Sequence, residues 1–496
     1  MRSLEIGMHT DKLIAIQVGA ASFVDEGVNG VLDTVQDRGG VNTLFIATPT
    51  ASRGTGGRQI PGHPLPDHGV QEYDYDWVGG NYATVHPEYY GNTVIGAAGR
   101  APDHPDLDLL ADVIPAAQSR GIQSYAWIEE AGYSGVLHAY PNFPKVLEVD
   151  VWGRPTGRPC FNNPDYRNWH LGITEDYAKS YDLDGLAWCS ERPGPLNLAM
   201  QRPVTAKDIS CFCRHCQVIA RDQGINVESA KAGFQKILDW SAGITAGAKD
   251  FDGAFTSFWR ILLRHPEVLA WQNLWTESQR QLYRDIYGVA KASKPTIQVG
   301  WHVQHDISFS PFYRADQDFA ELSKCSDFIK VVSYNNCGGP RLHSWIASIG
   351  KALFADATPT EIYPLMLKLL NLEEGDYDTL PQRGLSADYV RKEAARARAS
   401  ARGECKIYSG IDIDIANEFT EPDPRDFSRR AEALVRTFKT QAEVDALNLA
   451  TSTREQVRDA VNAAFDGGAD GVVLSRKYSE MMLDNLVGAG DAVNGR

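Results

Sequence analysis

Lys406-Ile-Tyr-Ser-Gly-Ile-Asp412-Ile-Asp414 is the stretch whose reading decides the fold. In an extended chain, Ile407, Ile411 and Ile413 share one face, and Tyr408, Gly410, Asp412 and Asp414 share the other. The apolar face suits a layer of outer helices. The opposite face, ending in aspartates, is expensive to bury unless it forms a solvated or ligand-filled site. A strand of a parallel barrel meets both demands, with its polar end at the C-terminal mouth. The stretch from Thr296 to Gln304 repeats the pattern. Ile297, Val299 and Val303 lie on one face, with Gln298, His302 and Gln304 opposite.

Working outward, strand one is expected at Leu13–Gly19, strand two at Asn42–Thr48, strand three at Ile122–Glu130 and strand four at Leu183–Cys189. Strands five to eight follow at Thr296–His302, Phe328–Tyr334, Lys406–Asp414 and Gly471–Arg476. Helical periodicity lies between them, at Val28–Arg38, Leu107–Gln118, Ala387–Arg402 and Arg454–Phe465. Eight strands alternating with helices predict an α/β fold, a (β/α)8 TIM barrel. A doubly wound open sheet is the alternative, but no G-x-G-x-x-G or Walker pattern supports nucleotide binding. No linker divides the chain. A single catalytic domain over residues 1–496 is expected, with insertions at about 49–105, 133–165 and 193–275. Strands four and eight open alike, on Asp184-Gly-Leu and Asp470-Gly-Val, a weak hint of half-barrel symmetry.

The 496 residues are 43% hydrophobic, enough for a large core. A net charge of −15 argues against nucleic acid and anionic membranes as partners. The first ten residues lack the apolar stretch of an export signal, and no apolar run reaches membrane-spanning length. A cytoplasmic location is expected, and a homo-oligomer is compatible with the sequence.

Several acids fall at strand ends: Glu129 and Glu130 end strand three, Glu191 follows strand four, and Asp412 and Asp414 end strand seven. Two carboxylates across a sugar-sized gap can cleave a glycoside, one giving a proton and the other attacking or activating water. Each acid alone could be a cap or an ion-pair partner; the set together points to function. Trp127, Trp188, Trp301, Tyr334 and Tyr408 lie in or near strands and could stack on sugar rings, while Trp301 has the parity of a helix-facing core residue. The loop Gly79–Tyr90 holds His86 and Tyr90, candidate substrate contacts. His302, with His305 and Asp306 nearby, reads better as a hydrogen-bonding histidine than as a metal ligand. Lys330 and Arg476 could hold hydroxyls or carboxylates, or form edge ion pairs.

Cys211-Phe-Cys213-Arg-His-Cys216 clusters three soft ligands suited to zinc or an iron–sulfur cluster, and Cys160 is the best fourth candidate. Unrelated buried thiols are the plain alternative. In a reducing compartment the eight cysteines read as ligands or free thiols rather than disulfides.

Arg158-x-Cys160 with Asn163-Pro-Asp-Tyr-Arg167, then a strand ending in an acid, then Cys211-x-Cys213-x-x-Cys216, resembles the barrel of glycoside hydrolase family 42 β-galactosidases, of the clan-A type. The resemblance implies a structural zinc on Cys160, Cys211, Cys213 and Cys216, with Glu191 as general acid/base. Ser190 stands where the family has Asn. Strand seven offers Asp412 and Asp414, with Glu418 and Glu421 further on, where the family uses Glu. The expected function is hydrolysis of a small glycoside or oligosaccharide by two carboxylates. Two alternatives remain: a metal-dependent sugar isomerase, epimerase or lyase, and a non-catalytic sugar-binding barrel. As proton donor, Glu191 is expected to have a raised pKa, from burial against Trp188 or a nearby aspartate.

Overall fold

The computed structural model describes residues 12–50, 56–57, 67–70, 77–97, 99–130, 140–249, 251–413, 452–475 and 477–495. Eight parallel strands close into a barrel in chain order. They are β1 (Leu13–Val18), β2 (Thr43–Ala47), β3 (Gln123–Glu129) and β4 (Gly185–Cys189), then β5 (Gln298–Val303), β6 (Phe328–Val332), β7 (Lys406–Asp412) and β8 (Gly471–Ser475). This is the expected (β/α)8 barrel. The helix after β1 begins at Ala20 rather than Val28. Gly27 interrupts it at φ 74°, which hides the helical period of the first turns.

The two matching Asp-Gly openings belong to a wider pattern. An Asx residue precedes every even strand, and its side chain accepts the backbone N–H of the second residue of the strand before. Asn42 takes Ile14 N–H at 2.9 Å, Asp184 takes Ser124 at 2.8 Å, Asp327 takes Val299 at 2.8 Å and Asp470 takes Ile407 at 2.8 Å. Four clamps thus tie the strands in pairs at the barrel floor, where strand-edge amides would otherwise lack partners.

Parity holds as the sequence predicts. Ile407, Ile411 and Ile413, and Val299, Trp301 and Val303, join the large core between strands and helices. Trp301 stacks on Tyr283 at 4.2 Å and donates its indole N–H to Cys325 O, so it is a core residue. Inside the barrel, Phe45, Tyr125, Phe328 and Tyr408 form an aromatic plug, with Phe328 5.0 Å from Tyr408. A Cβ on Gly300 would lie 2.3 Å from the Phe328 ring, so the plug requires that glycine. Tyr408 therefore fills the barrel floor and is no sugar platform.

A second, smaller core surrounds the cysteines, with Phe212 stacked on Trp271 at 4.3 Å. An antiparallel pair, Leu147–Val149 with Pro155–Pro159, leads into Cys160. No described helix is long and apolar enough to cross a membrane.

Candidate active site

Above the aromatic plug, the axis-facing residues turn polar. The Lys330 side chain rises from β6 with 0% exposure. Its ammonium donates to Gln17 Oε1 at 2.8 Å, Tyr334 Oη at 2.9 Å and Ser475 Oγ at 3.0 Å, and lies 4.7 Å from the Trp127 ring centre. A buried ammonium needs such a set, because desolvating it unpaired would cost several kcal/mol. Gly410 on β7 makes the space. A Cβ there would stand 2.8 Å from the Tyr334 ring and 3.2 Å from Lys330 Cε.

His302 is the next step. Its ring packs edge-on against Trp127 at 5.1 Å, and its Nε2 lies 2.6 Å from Glu191 Oε1. Burial and the Lys330 charge push the His302 pKa down, against the pull of Glu191. The neutral ring therefore donates Nε2–H to the carboxylate, leaving buried Nδ1 without a partner among the described residues. Glu191 itself, 48% exposed, lies in the barrel mouth among charged groups. Burial by the surrounding walls pushes its pKa up. The His302 hydrogen bond and the positive charges of Arg341 and Lys330 outweigh that and hold it at about 2. This corrects the expected raised pKa: at neutral pH the free protein carries Glu191 as the anion.

Asp412 ends β7 at 2% exposure, and its Oδ2 accepts the backbone N–H of Cys337 at 2.7 Å. Cys337 lies in the first turn of helix Asn335–Ile349, so helix-end amides face the carboxylate. The same helix carries Arg341, whose guanidinium feels both Glu191 and Asp412 and sits 3.0 Å from His305 Nδ1. Sequence reading passes over Arg341, because Gly-Gly-Pro precedes it and suggests a loop. It also misses Gln17, whose signal is a lone polar residue on the axis-facing parity of an otherwise apolar strand.

Other candidates have different places. Glu129 ends β3 on the axis-facing parity and accepts from Thr50 Oγ1 at 2.8 Å. Glu130 is buried behind the mouth. It pairs with Arg192 at 3.3 Å and accepts from Tyr166 Oη at 3.0 Å and from Ser190, so it is an ion-pair anchor, not a substrate contact. Trp127 is pocket floor, covered by His302 and Lys330. Trp188 has the helix-facing parity of β4 and packs on His170 at 4.1 Å, away from the axis. His86 and Tyr90 bind Asp176, at 2.7 Å and 3.2 Å. Asp176 lies near the C-terminal end of helix Pro164–Ser180, which runs from the mouth to the floor. Both residues therefore fasten the first insertion to the helix layer outside the barrel. Asp414, Glu418, Glu421 and Arg476 lie outside the described residues.

The sulfurs of Cys160, Cys211, Cys213 and Cys216 lie within 4.8 Å of one another, with Cys160 3.5 Å from both Cys213 and Cys216. A tetrahedral zinc with sulfur at about 2.3 Å sets its ligands roughly 3.8 Å apart, so these four fit the ion. Backbone N–H groups of Val149, Asn162 and Cys213 point at the sulfurs at 3.3–3.4 Å, as thiolates require. Cys189, Glu191 and His302 also bring ligand atoms within 4.8 Å. There Lys330 and Arg341 already neutralise Glu191, and their charge disfavours a cation.

No protein-family model matches the chain, and no curated protein matches it. Solved structures do. An α-L-fucosidase isoenzyme 2 from Paenibacillus thiaminolyticus covers 98% of this chain at 11% identity and TM-score 0.45. A β-galactosidase from the haloarchaeon Halorubrum lacusprofundi covers 97% at 12% identity and TM-score 0.49. One from Bacillus circulans sp. alkalophilus covers 97% at 12% identity and TM-score 0.48. The chain spans 49%, 57% and 56% of those proteins. At these identities the likeness is one of fold.

Proposed function

We propose that this protein is a glycoside hydrolase acting on a small glycoside or oligosaccharide in the barrel mouth. The observation that carries this is the Glu191–His302 pair at 2.6 Å, set where the barrel opens and backed by Lys330 and Arg341. An exposed carboxylate held ionised by a neutral imidazole and two cations is suited to face the positive charge that develops on an anomeric carbon. In this reading Glu191 attends that carbon or its attacking water. Buried Asp412 adds fixed negative charge beside Arg341 and holds the helix that carries it. Asp414 and Arg476 remain candidates for the site.

The four cysteines are proposed to hold one structural zinc. All four sulfurs are occupied by such an ion, so it offers no open position for chemistry and serves to fix the loops after β3 and β4. The eight free cysteines fit a reducing, cytoplasmic setting.

The test is sugar release from 4-nitrophenyl glycosides of several sugars and both anomers. Turnover by wild type and its loss in Glu191→Gln support the reading. Binding without turnover would move the protein to a sugar-binding role.

A further inference from the structure

Glycoside cleavage needs a proton on the leaving oxygen, and Glu191 holds none at rest. We propose that Asp306 is the proton donor of this site, placed to protonate the leaving-group oxygen while Glu191 attends the anomeric carbon. The proposal rests on the hydrolase reading and deepens it.

Geometry places Asp306 at the mouth. It is the first residue of the short helix Asp306–Phe309, immediately past β5. His302 and Gln304 share the axis-facing parity of that strand end. His302 holds Glu191 from one position, and two residues on, Gln304 Nε2 donates to Asp306 Oδ2 at 3.0 Å. The two carboxylates are thus held by successive rungs of one strand end. Tyr313, whose phenol is kept protonated first by burial and then by nearby acids including Asp306 and Glu191, donates to the carbonyl of Arg192, the residue after Glu191. Asp306, just past β5, and Glu191, just past β4, therefore stand close enough for each to feel the other's charge.

The environments of the two acids differ. Asp306 is only partly exposed, and among the described residues its carboxylate accepts one hydrogen bond, from a neutral amide. Burial, with the Glu191 charge adding to it, pushes its pKa up to about 6 against the pull of Arg341. Glu191 sits at about 2. Paired acids pushed apart in this way divide the labour of glycoside cleavage. The groups facing Asp306 are Glu191 after β4, Arg341 from helix Asn335–Ile349, Tyr313 from helix Pro311–Asp316, and Gln304 and His305 beside it.

The step balances. The glycosidic C–O bond breaks with its electron pair going to the leaving oxygen, which takes the Asp306 proton and departs as an alcohol. Water supplies the hydroxyl that ends on the anomeric carbon. Its other proton passes to a carboxylate and restores the starting state through solvent.

The experiment compares wild type, Asp306→Asn and Asp306→Glu on methyl and 2,4-dinitrophenyl glycosides, with thermal melts to show that each variant folds. Wild-type kcat/KM should fall as pH rises through about 6, where Asp306 loses its proton. Asp306→Asn should lose about 10²–10⁴-fold on methyl glycosides and less on dinitrophenyl glycosides, whose leaving groups need little protonation. The basic limb near pH 6 should vanish, and Asp306→Glu should recover part of the rate. Carboxyl 13C NMR of wild type should show a group titrating near 6 that is missing in Asp306→Asn. A folded Asp306→Asn with unchanged rates and an unchanged basic limb overturns the assignment, as does the absence of any carboxyl titrating between about pH 5 and 7. A wild type that cleaves no glycoside sinks the hydrolase reading instead, whatever the NMR shows.

Discussion

The four-cysteine knot and the barrel mouth are both clusters of ionisable groups and both draw on the loop after β4, yet they are built in opposite ways. In the knot, four buried sulfurs converge on one point and backbone amides close around them. In the mouth, charges alternate. Lys330 and Arg341 face Glu191, and neutral His302 stands between. Convergent like groups suit an ion that stays. Alternating groups, with one carboxylate reaching solvent, suit a guest that comes and goes. Arg192 joins the two regions. It pairs with Glu130, lies 3.9 Å from the Phe161 ring, and donates to Pro159 O, one residue before Cys160. The knot can thereby set the position of Glu191 without touching the guest.

The largest effect expected from this contrast is in the mouth. Glu191→Gln should cost about 10²–10⁴-fold in kcat and lower the melting temperature only modestly, because solvent screens the half-exposed carboxylate's attraction to Lys330 and Arg341. Equal loss of rate and stability would erase the distinction. The knot should behave in reverse. Cys213→Ser should lose the ion and several kcal/mol of folding free energy, with a smaller change in chemistry once folded. Elemental analysis of pure wild type showing no metal, with four freely titratable thiols, would remove the knot from this scheme.

Lys330→Met sharpens the comparison from below. It strips the shared donor from Gln17, Tyr334 and Ser475, and each buried polar group left unsatisfied costs about 1–3 kcal/mol. It also removes one of the charges that hold Glu191 down, so the acidic limb of kcat/KM should move upward in pH. A limb that stays in place would separate Lys330 from Glu191.

The smallest effect concerns buried histidines. His170, His302 and His305 all have pKa values lowered first by burial. Above about pH 6.5 they are neutral folded and unfolded and contribute nothing to the pH dependence. As pH falls below that, the unfolded chain takes up protons the folded one refuses, and stability drops. His170 sits among Tyr166, Trp169 and Trp188 with neither nitrogen bonded among the described residues. His170→Phe should therefore raise the melting temperature more at pH 5 than at pH 7. An equal shift at both would show that His170 takes up its proton when folded.

How much of this is legible in the sequence follows from which forces act locally. Strand parity is set by the pleat, so the alternation of residues alone turns Ile407, Ile411 and Ile413 outward and Asp412 inward. Ligand spacing in Cys211-x-Cys213-x-x-Cys216 is local too, and Cys160 joins it across the fold as expected. Long-range partners are not local. Nothing near Glu130 tells that Arg192 and Tyr166 will bury it, and nothing near His86 tells that Asp176 will hold it outside the barrel. The ionisation of Glu191 depends on His302, Lys330 and Arg341, which arrive from three later segments. Nearness to a strand end suggests that Trp188 belongs to the site, yet its parity points it outward, and parity decides.

The most direct test of the mouth as a metal-free hydrolytic site is sugar release from 4-nitrophenyl glycosides by wild type after incubation with EDTA. Undiminished turnover is expected, since Glu191 is held by His302, Lys330 and Arg341 rather than by a dissociable ion, while the thiol-held metal stays bound. Turnover that disappears with EDTA and returns with added divalent metal would contradict it and favour metal-dependent isomerase or lyase chemistry in the same mouth.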